Sequence, residues 1–196
     1  YVATLIVYQS NFTYTQTVAE VLDGLLLDQS VVRPWRASAL PNLSLYDTVV
    51  VGGSIRYGQI QPELRGWLEA TADELAGMPH ALFLACGFPE NFEEYLTKNI
   101  PAAFRESSLV NECVGGMLNF DKMGFLNRSV ARIMKRTILK RGGQLPEQRP
   151  EAIEHLAEVL NARFEEAAGS AASTNPTPTA VAATASVEMA ATASGT

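Results

Sequence analysis

Asp47-Thr48-Val49-Val50-Val51-Gly52-Gly53-Ser54-Ile55-Arg56-Tyr57-Gly58 is the stretch on which the reading of this chain turns. Three β-branched valines in a row end at two glycines. The run predicts a strand buried on both faces, ending where another group approaches the backbone closely. A strand buried on both faces belongs to a parallel sheet covered by helices, and such sheets bind ligands beyond the carboxyl ends of their strands. Ser54, Arg56 and Tyr57 stand at that position. A hydroxyl, a cation and an aromatic face beside flexible glycines suit a planar, polar-edged ligand. A β–α turn with two solvated side chains is the plainer reading of the same residues.

Outward from this strand, helical and extended patterns alternate. Thr4-Leu5-Ile6-Val7-Tyr8 reads as a first strand, and Val18, Leu22, Leu25 and Leu26 recur at helical spacing after it. Val31-Val32 begins a second strand, which Arg33 and Pro34 mark as short or near an edge. The third strand spans residues 47–53. Pro62 suits the first turn of a helix carrying Leu64, Trp67 and Leu68. Ala81-Leu82-Phe83-Leu84-Ala85-Cys86 reads as a fourth buried strand. A helix follows from about Asn91 to Phe104, with a break near Pro101. A fifth strand lies within Leu109–Leu118, with Gly115 and Gly116 in it or just after it. The last helix, Glu151 to Phe164, places Ile153, Leu156, Leu160 and Phe164 on one face. This alternation predicts an α/β fold: a three-layer sandwich around a five-stranded parallel sheet of order 2-1-3-4-5.

The chain has 196 residues, 47% of them hydrophobic, enough for one ordinary core. We read 1–167 as one domain and 168–196, made of Ala, Thr and Ser with two prolines, as a disordered tail. A net charge of −6 argues against general nucleic-acid binding. No apolar run reaches the roughly 20 residues that span a bilayer, and no secretory signal pattern is present. Because Tyr1 opens almost directly into a strand, the true start is expected to lie upstream. Cys86 and Cys113 are the only cysteines and do not form a C-x-x-C pair. That spacing argues against a structural disulfide or zinc site and for a reducing cytoplasm. His80 and His155 are isolated and are expected at the surface. No metal site is expected.

Between the first strand and helix lies Gln9-Ser10-Asn11-Phe12-Thr13-Tyr14-Thr15. A helix start offers unpaired N–H groups and the positive end of its dipole. Ser10, Thr13 and Thr15 add hydroxyls. With no Lys or Arg, this is not the ATP-type loop. A neutral, hydroxyl-lined cradle suits a monophosphate, as in FMN, while plain N-capping is the modest alternative.

These segments resemble the flavodoxin-like menaquinone-dependent protoporphyrinogen IX dehydrogenases and their broader flavodoxin-domain relatives. The resemblance runs from about Ala3 to Phe164. It rests on Tyr46-Asp47 leading into Ser54-Ile55-Arg56-Tyr57-Gly58, on Gly115-Gly116, and on Asn119-Phe120-Asp121-Lys122-Met123 before a basic segment. The first loop also resembles the family's Ser-x-aromatic-Gly-x-Thr pattern through Ser10, Phe12 and Thr15. Thr13 stands where the family's glycine is expected, and Gln9 where Ser or Thr is common. The resemblance implies noncovalent FMN, with Ser10, Asn11, Phe12, Thr13, Tyr14 and Thr15 around its phosphate. Ser54, Ile55, Arg56, Tyr57 and Gly58 would flank one side of the ring. Cys86, Gly87, Phe88 and Asn91 in the loop Cys86–Asn91 would close the other. Arg56 and Tyr57 would serve catalysis, Arg56 by meeting a substrate carboxylate or the negative charge of the reduced ring. Tyr57 or Phe88 would stack on the ring. Cys86 beside a flavin suggests a redox role, against the blander reading of a small core residue.

From Lys122 to Arg141 the chain carries Lys122, Arg128, Arg132, Lys135, Arg136, Lys140 and Arg141 and no acidic residue, leaving 8 basic against 21 acidic residues elsewhere. Leu126, Val130, Ile133, Met134 and Ile138 recur there at helical spacing. The segment is either a helix packed on the sheet with solvated cations, a surface for anionic membranes, or a guide for an acidic substrate or protein. The resemblance therefore implies an FMN-dependent oxidoreductase that takes hydrogen from a tetrapyrrole-like substrate and passes electrons to a quinone. It would be cytoplasmic and peripheral on the inner face of the membrane. The alternatives are a flavodoxin-type electron carrier without its own small-molecule substrate, or a domain of this fold that has lost FMN.

Overall fold

A computed structural model of the protein describes residues 3–11, 13–116 and 148–173. Strand β1 (Ala3–Tyr8) leads into helix α1 (Thr13–Leu25), then β2 (Gln29–Pro34), β3 (Thr48–Ser54) and α2 (Pro62–Ala76). Strand β4 (His80–Ala85) is followed by α3 (Phe92–Asn99), α4 (Ala102–Ser107), β5 (Asn111–Cys113) and α5 (Pro150–Ser173). The sheet is parallel with order β2-β1-β3-β4-β5, the order expected from the sequence. All seven residues of β3 are buried.

The two-residue alternation of the strands divides the core into two layers. Leu5, Val7, Val49, Val51, Leu82 and Leu84 pack with Leu64, Trp67, Leu68 and Leu75 of α2 and with Leu96 and Phe104 of α3 and α4. Ile6, Val50, Ala81, Phe83 and Ala85 pack with Val18, Ala19 and Leu22 of α1 and with Ile153, Leu156 and Leu160 of α5. Each fully buried aliphatic side chain contributes about 1.5–3 kcal/mol, whereas a net hydrogen bond contributes about 1 kcal/mol. The valines of β3 therefore fix its position more firmly than any single polar contact.

Several boundaries differ from those expected. The break at Pro101 is present and separates α3 from α4. The fifth strand lies inside the expected window, with β5 covering Asn111–Cys113, and an isolated bridge joins Gly115 to Gln148. Helix α5 continues to Ser173, past the expected boundary at 167, because its Ala-rich end keeps high helix propensity. Residues beyond 173, the Asn119–Met123 motif and the basic segment Lys122–Arg141 lie outside the described residues.

Two expectations from side-chain type are overturned. His80 is not at the surface but fully buried. Its Nδ1 lies 2.8 Å from the Met78 carbonyl and its Nε2 lies 2.8 Å from that of Phe104. The ring thus bridges the entrance of β4 and the body of α4 through polar contacts that no surface role would need. His155 is exposed, as expected, and its Nδ1 sits 2.5 Å from Glu112 Oε1. The second reversal concerns the cysteines. Cys86 and Cys113 are joined in a disulfide with Cα atoms 6.3 Å apart. Their sequence separation of 27 hides the fact that β4 and β5 are neighbours. With the pair bonded, cysteine spacing no longer argues for a reducing compartment.

Gly52 is the most tightly packed of the described glycines. A Cβ built there would meet the Phe83 ring at 2.2 Å, and Phe83, its register partner on β4, has no exposed surface. Gly52→Ala should lower unfolding stability by at least about 1–3 kcal/mol, the usual effect of overpacking. Pairing it with Phe83→Leu should recover part of that loss in urea denaturation.

Candidate cofactor cleft

The carboxyl ends of β1, β3 and β4 point to one edge of the sheet, and their loops form the cleft. On the β1 side, the Gln9 N–H is tied to the Gly52 carbonyl at 2.9 Å, which fixes where the first loop leaves the sheet. Ser10 Oγ donates to Ser54 Oγ across 3.3 Å, and Gln61 Nε2 donates to the same oxygen at 2.7 Å. Ser54 is therefore the junction of the first and second loops. The β1 loop ends in the first turn of α1, whose N–H groups have no intrahelical acceptors.

Helix α1 begins at Thr13 itself. Among the described residues Tyr57 is the only non-glycine with positive φ. Thr13 therefore does not adopt the left-handed conformation that would require the family's glycine. Thr13 and Asn11 are exposed, as residues around a phosphate should be. Thr15 is buried to 1% exposure and its Oγ1 has no hydrogen-bond partner. The buried Gln9 Oε1 and Gln61 Oε1 are also unpartnered. Leaving such an atom unsatisfied costs about 1–3 kcal/mol. Three of them around the ends of β1 and β3 fit a polar ligand with phosphate and hydroxyl groups. Phe12 lies outside the described residues.

Tyr14 is placed differently from the expectation. Its side chain turns into the core and its hydroxyl donates to the Val114 carbonyl at 2.6 Å. Burial, opposed by the backbone N–H of Arg149 and assisted by Glu151, pushes its phenol above the ordinary tyrosine value. Only its backbone remains near the cradle. The Tyr8 phenol is raised too, chiefly by burial and then by Glu20, with Arg36 opposing.

The second wall is a tight turn. Arg56 N–H donates to the Gln59 carbonyl at 2.7 Å, and Gln59 N–H donates back at 3.0 Å. Tyr57 and Gly58 occupy its centre with φ of 51° and 77°, the primed hairpin geometry. A tyrosine in this region is disfavoured by about 1–2 kcal/mol, so the surrounding structure must hold it. Asn99 does so. Its Oδ1 accepts from the Ile60 N–H at 3.1 Å, and its Nδ2 donates to Gly58 O at 3.0 Å and Tyr95 O at 2.9 Å. The turn presents the Tyr57 ring to solvent at 71% exposure, with the Arg56 guanidinium 5.5 Å from its centroid. Ile55 is half-buried beneath it, its N–H bonded to Ala85 O at 2.8 Å.

The third wall is the segment after β4. Gly87 and Phe88 are half-buried and Asn91 is exposed, with the Asn91 amide 3.5 Å from the Tyr95 hydroxyl. Cys86 differs from the expectation of a cofactor contact through its side chain. Its sulfur is bonded to Cys113 and its N–H donates to Gly115 O at 2.8 Å. Reasoning from sequence missed Gln61 and Asn99, neither of which has a local pattern that marks it. A cavity of about 260 Å³ lined by Glu93, Thr97, Arg105 and Asn111 lies away from these walls, on the side of α3 and α4. We give it no role: the unpartnered Gln9, Thr15 and Gln61 oxygens belong to the cleft, and only Asn111 Oδ1 belongs to a lining residue here. Among the described residues there is no cluster suited to a metal, and no helix is long and apolar enough to cross a membrane.

A 2-1-3-4-5 parallel sheet with a neutral hydroxyl cradle after β1 and an aromatic turn after β3 defines a flavodoxin-like α/β protein. The chain belongs to the flavodoxin-domain family, which it matches over residues 5–141, and FMN is the cofactor of that family. Its structure is similar to the flavodoxin of Streptococcus pneumonia TIGR4, with 17% identity, a TM-score of 0.52, and coverage of 82% of this chain and 99% of that one. It is also similar to a flavo di-iron protein from Thermotoga maritima at 15% identity and a TM-score of 0.49, covering 83% of this chain but only 36% of that one. A Lactobacillus acidophilus flavoprotein in complex with FMN is 14% identical, with a TM-score of 0.43 and coverage of 58% and 93%. At these identities what is shared is the fold. No curated protein matches the chain.

Asn99→Ala leaves the Ile60 N–H and Gly58 carbonyl unpaired. It should lower stability by about 1–3 kcal/mol and weaken FMN retention, measured by denaturation and by quenching of FMN fluorescence. Unchanged FMN affinity would show that Asn99 supports the core and not the turn.

Proposed function

We propose that the protein is an FMN-dependent oxidoreductase resembling protoporphyrinogen IX dehydrogenase, acting on a reduced, carboxylated tetrapyrrole-like substrate with a quinone as electron acceptor. The observation that carries this reading is the pair Arg56 and Tyr57, an exposed aromatic ring and a guanidinium on a turn held in a disfavoured conformation. Such strain persists where the surroundings enforce it, commonly at binding sites. FMN, when bound, supplies the one- and two-electron redox chemistry.

The chain's own residues would bind and orient. Ser10, Asn11, Thr13 and Thr15, with the N-terminus of α1, would hold the phosphate. Ser54 and Gln61 lie where they would meet polar groups of the cofactor. Tyr57 offers a stacking face, and Gly87 and Phe88 close the opposite side. Arg56 would draw a substrate carboxylate to the mouth of the cleft, because guanidinium–carboxylate hydrogen bonds are both strong and directional. A second reading, a carrier that shuttles electrons between proteins, is favoured by exposed Glu90, Glu93 and Glu94 just after the third wall, a surface suited to a basic partner. The loss of FMN has less support, since Thr13 takes no positive φ.

An absorbance spectrum after FMN is added and the excess removed comes first. Flavin bands should persist. Arg56→Ala should keep them while slowing protoporphyrinogen oxidation with a menaquinone analogue by about 10- to 100-fold, the range for losing one charged hydrogen bond. If turnover is undetectable in the FMN-loaded protein, yet it passes electrons to a one-electron acceptor protein, the carrier reading replaces this one.

The substrate and acceptor proposed are poorly soluble, and the basic run Lys122–Arg141 would bring the protein to an anionic membrane surface. Each cation near such a surface contributes about 1 kcal/mol. The protein should sediment with phosphatidylserine vesicles at low salt and be released at high salt. Failure to sediment at low salt would remove the membrane from the proposal.

A further inference from the structure

The cleft's third wall is fastened from behind by a bond that can be made and broken. Cys86 follows the last residue of β4 and opens the loop that forms this wall. Cys113 ends the neighbouring strand β5. Both are buried, at 1% and 2% exposure, and their cluster includes Tyr95 with Ile55 and Phe92 packed against it. Ile55 belongs to the second wall and Phe92 opens α3 directly after the third. The disulfide therefore lies beneath two walls of the cleft at once.

Around the disulfide the two segments are closely apposed. The Cys86 N–H donates to Gly115 O at 2.8 Å, and Val114 N–H donates to Leu84 O at 3.1 Å. Gly116 passes so near that a Cβ there would lie 3.3 Å from both the Cys86 carbonyl carbon and the Gly87 nitrogen. Loop 86–91 thus rests on the segment 113–116. Without the covalent link, the hydrogen bond from Cys86 and packing alone would hold the start of the wall.

We propose that Cys86 and Cys113 form a reversible dithiol–disulfide pair whose oxidised state clasps the third wall and tightens flavin binding. This rests on the reading of the cleft as an FMN site. Oxidation removes two protons and two electrons from the two thiols as the S–S bond forms, the electrons passing by exchange to a small disulfide such as oxidised glutathione. A dithiol returns two electrons and two protons and breaks the bond. Since both sulfurs are shielded from solvent, exchange requires the wall to lift. Flavin binding, which needs the wall closed, must then oppose reduction. By linkage, the factor by which the disulfide tightens flavin binding equals the factor by which flavin protects the disulfide.

The test uses the full chain without flavin, prepared oxidised with glutathione disulfide or reduced with dithiothreitol, its thiol state read by alkylation and intact mass. FMN affinity follows from fluorescence quenching. The oxidised form should bind FMN about tenfold more tightly, within the usual range of coupling between sites. Saturating FMN should raise the dithiothreitol concentration needed for half-reduction by the same factor. Cys113→Ser should match the reduced form under both conditions, with circular dichroism confirming that it is folded. Equal FMN affinity in the two states, or two free thiols after oxidation, would overturn the clasp while leaving the cofactor reading intact. Absence of FMN binding in both states would overturn both.

Discussion

The ring of Phe83 lies across the backbone of Gly52, in the space that a side chain at position 52 would take. This contact closes the layer between the sheet and α1 and α5 up to the last turn of β3. Because the strand is then filled on both faces, a ligand finds room only beyond its carboxyl end. Gly53, next in line, lets Leu64 and Leu84 approach in the same way on the other face. The paired glycines are therefore a packing requirement first. The cleft is placed where their packing stops.

Helix α3 supports two of the cleft's walls. Asn99, near its end, holds the Tyr57–Gly58 turn through two hydrogen bonds, to the Ile60 N–H and Gly58 O, while its amide also bonds Tyr95 O within α3. The Tyr95 ring packs beneath the Cys86–Cys113 disulfide, and its hydroxyl meets the Asn91 amide. A shift of α3 would disturb the second and third walls together. Cofactor sites require such support, because a cleft loose by an ångström loses both affinity and orientation. The first wall is held separately, by the Gln9 bond to β3 and the hydroxyl junction at Ser54.

Much of this was legible beforehand, for local reasons. The valine run announced a doubly buried strand, Pro34 an edge, and Pro101 a break between two helices. Ile153, Leu156 and Leu160 marked the inward face of the last helix. The cradle after β1 was legible as hydroxyls at a helix start. The failures share a different character. His80 was placed at the surface because histidine usually is, yet two carbonyls await its ring in the interior. The cysteines were read by spacing, which says nothing once neighbouring strands bring distant residues together. Thr13, which stands where the family has glycine, opens α1 without a positive φ. Tyr14 was placed on the cofactor by proximity in sequence, whereas the first turn of α1 rotates its side chain into the core.

Periodicity, glycine and proline act over a few residues through backbone sterics and burial. They were enough to set the α/β class, the number of strands and the end of the sheet that carries the site. Which polar groups meet at that site depends on register and on the paths of loops. Ser10 with Ser54, Gly58 with Asn99 and Cys86 with Cys113 are joined across separations of 44, 41 and 27 residues. No local pattern encodes such pairings, because each is made by the packing of elements whose own formation it does not influence. The sequence therefore sets where the cleft lies, and tertiary packing sets what holds its walls.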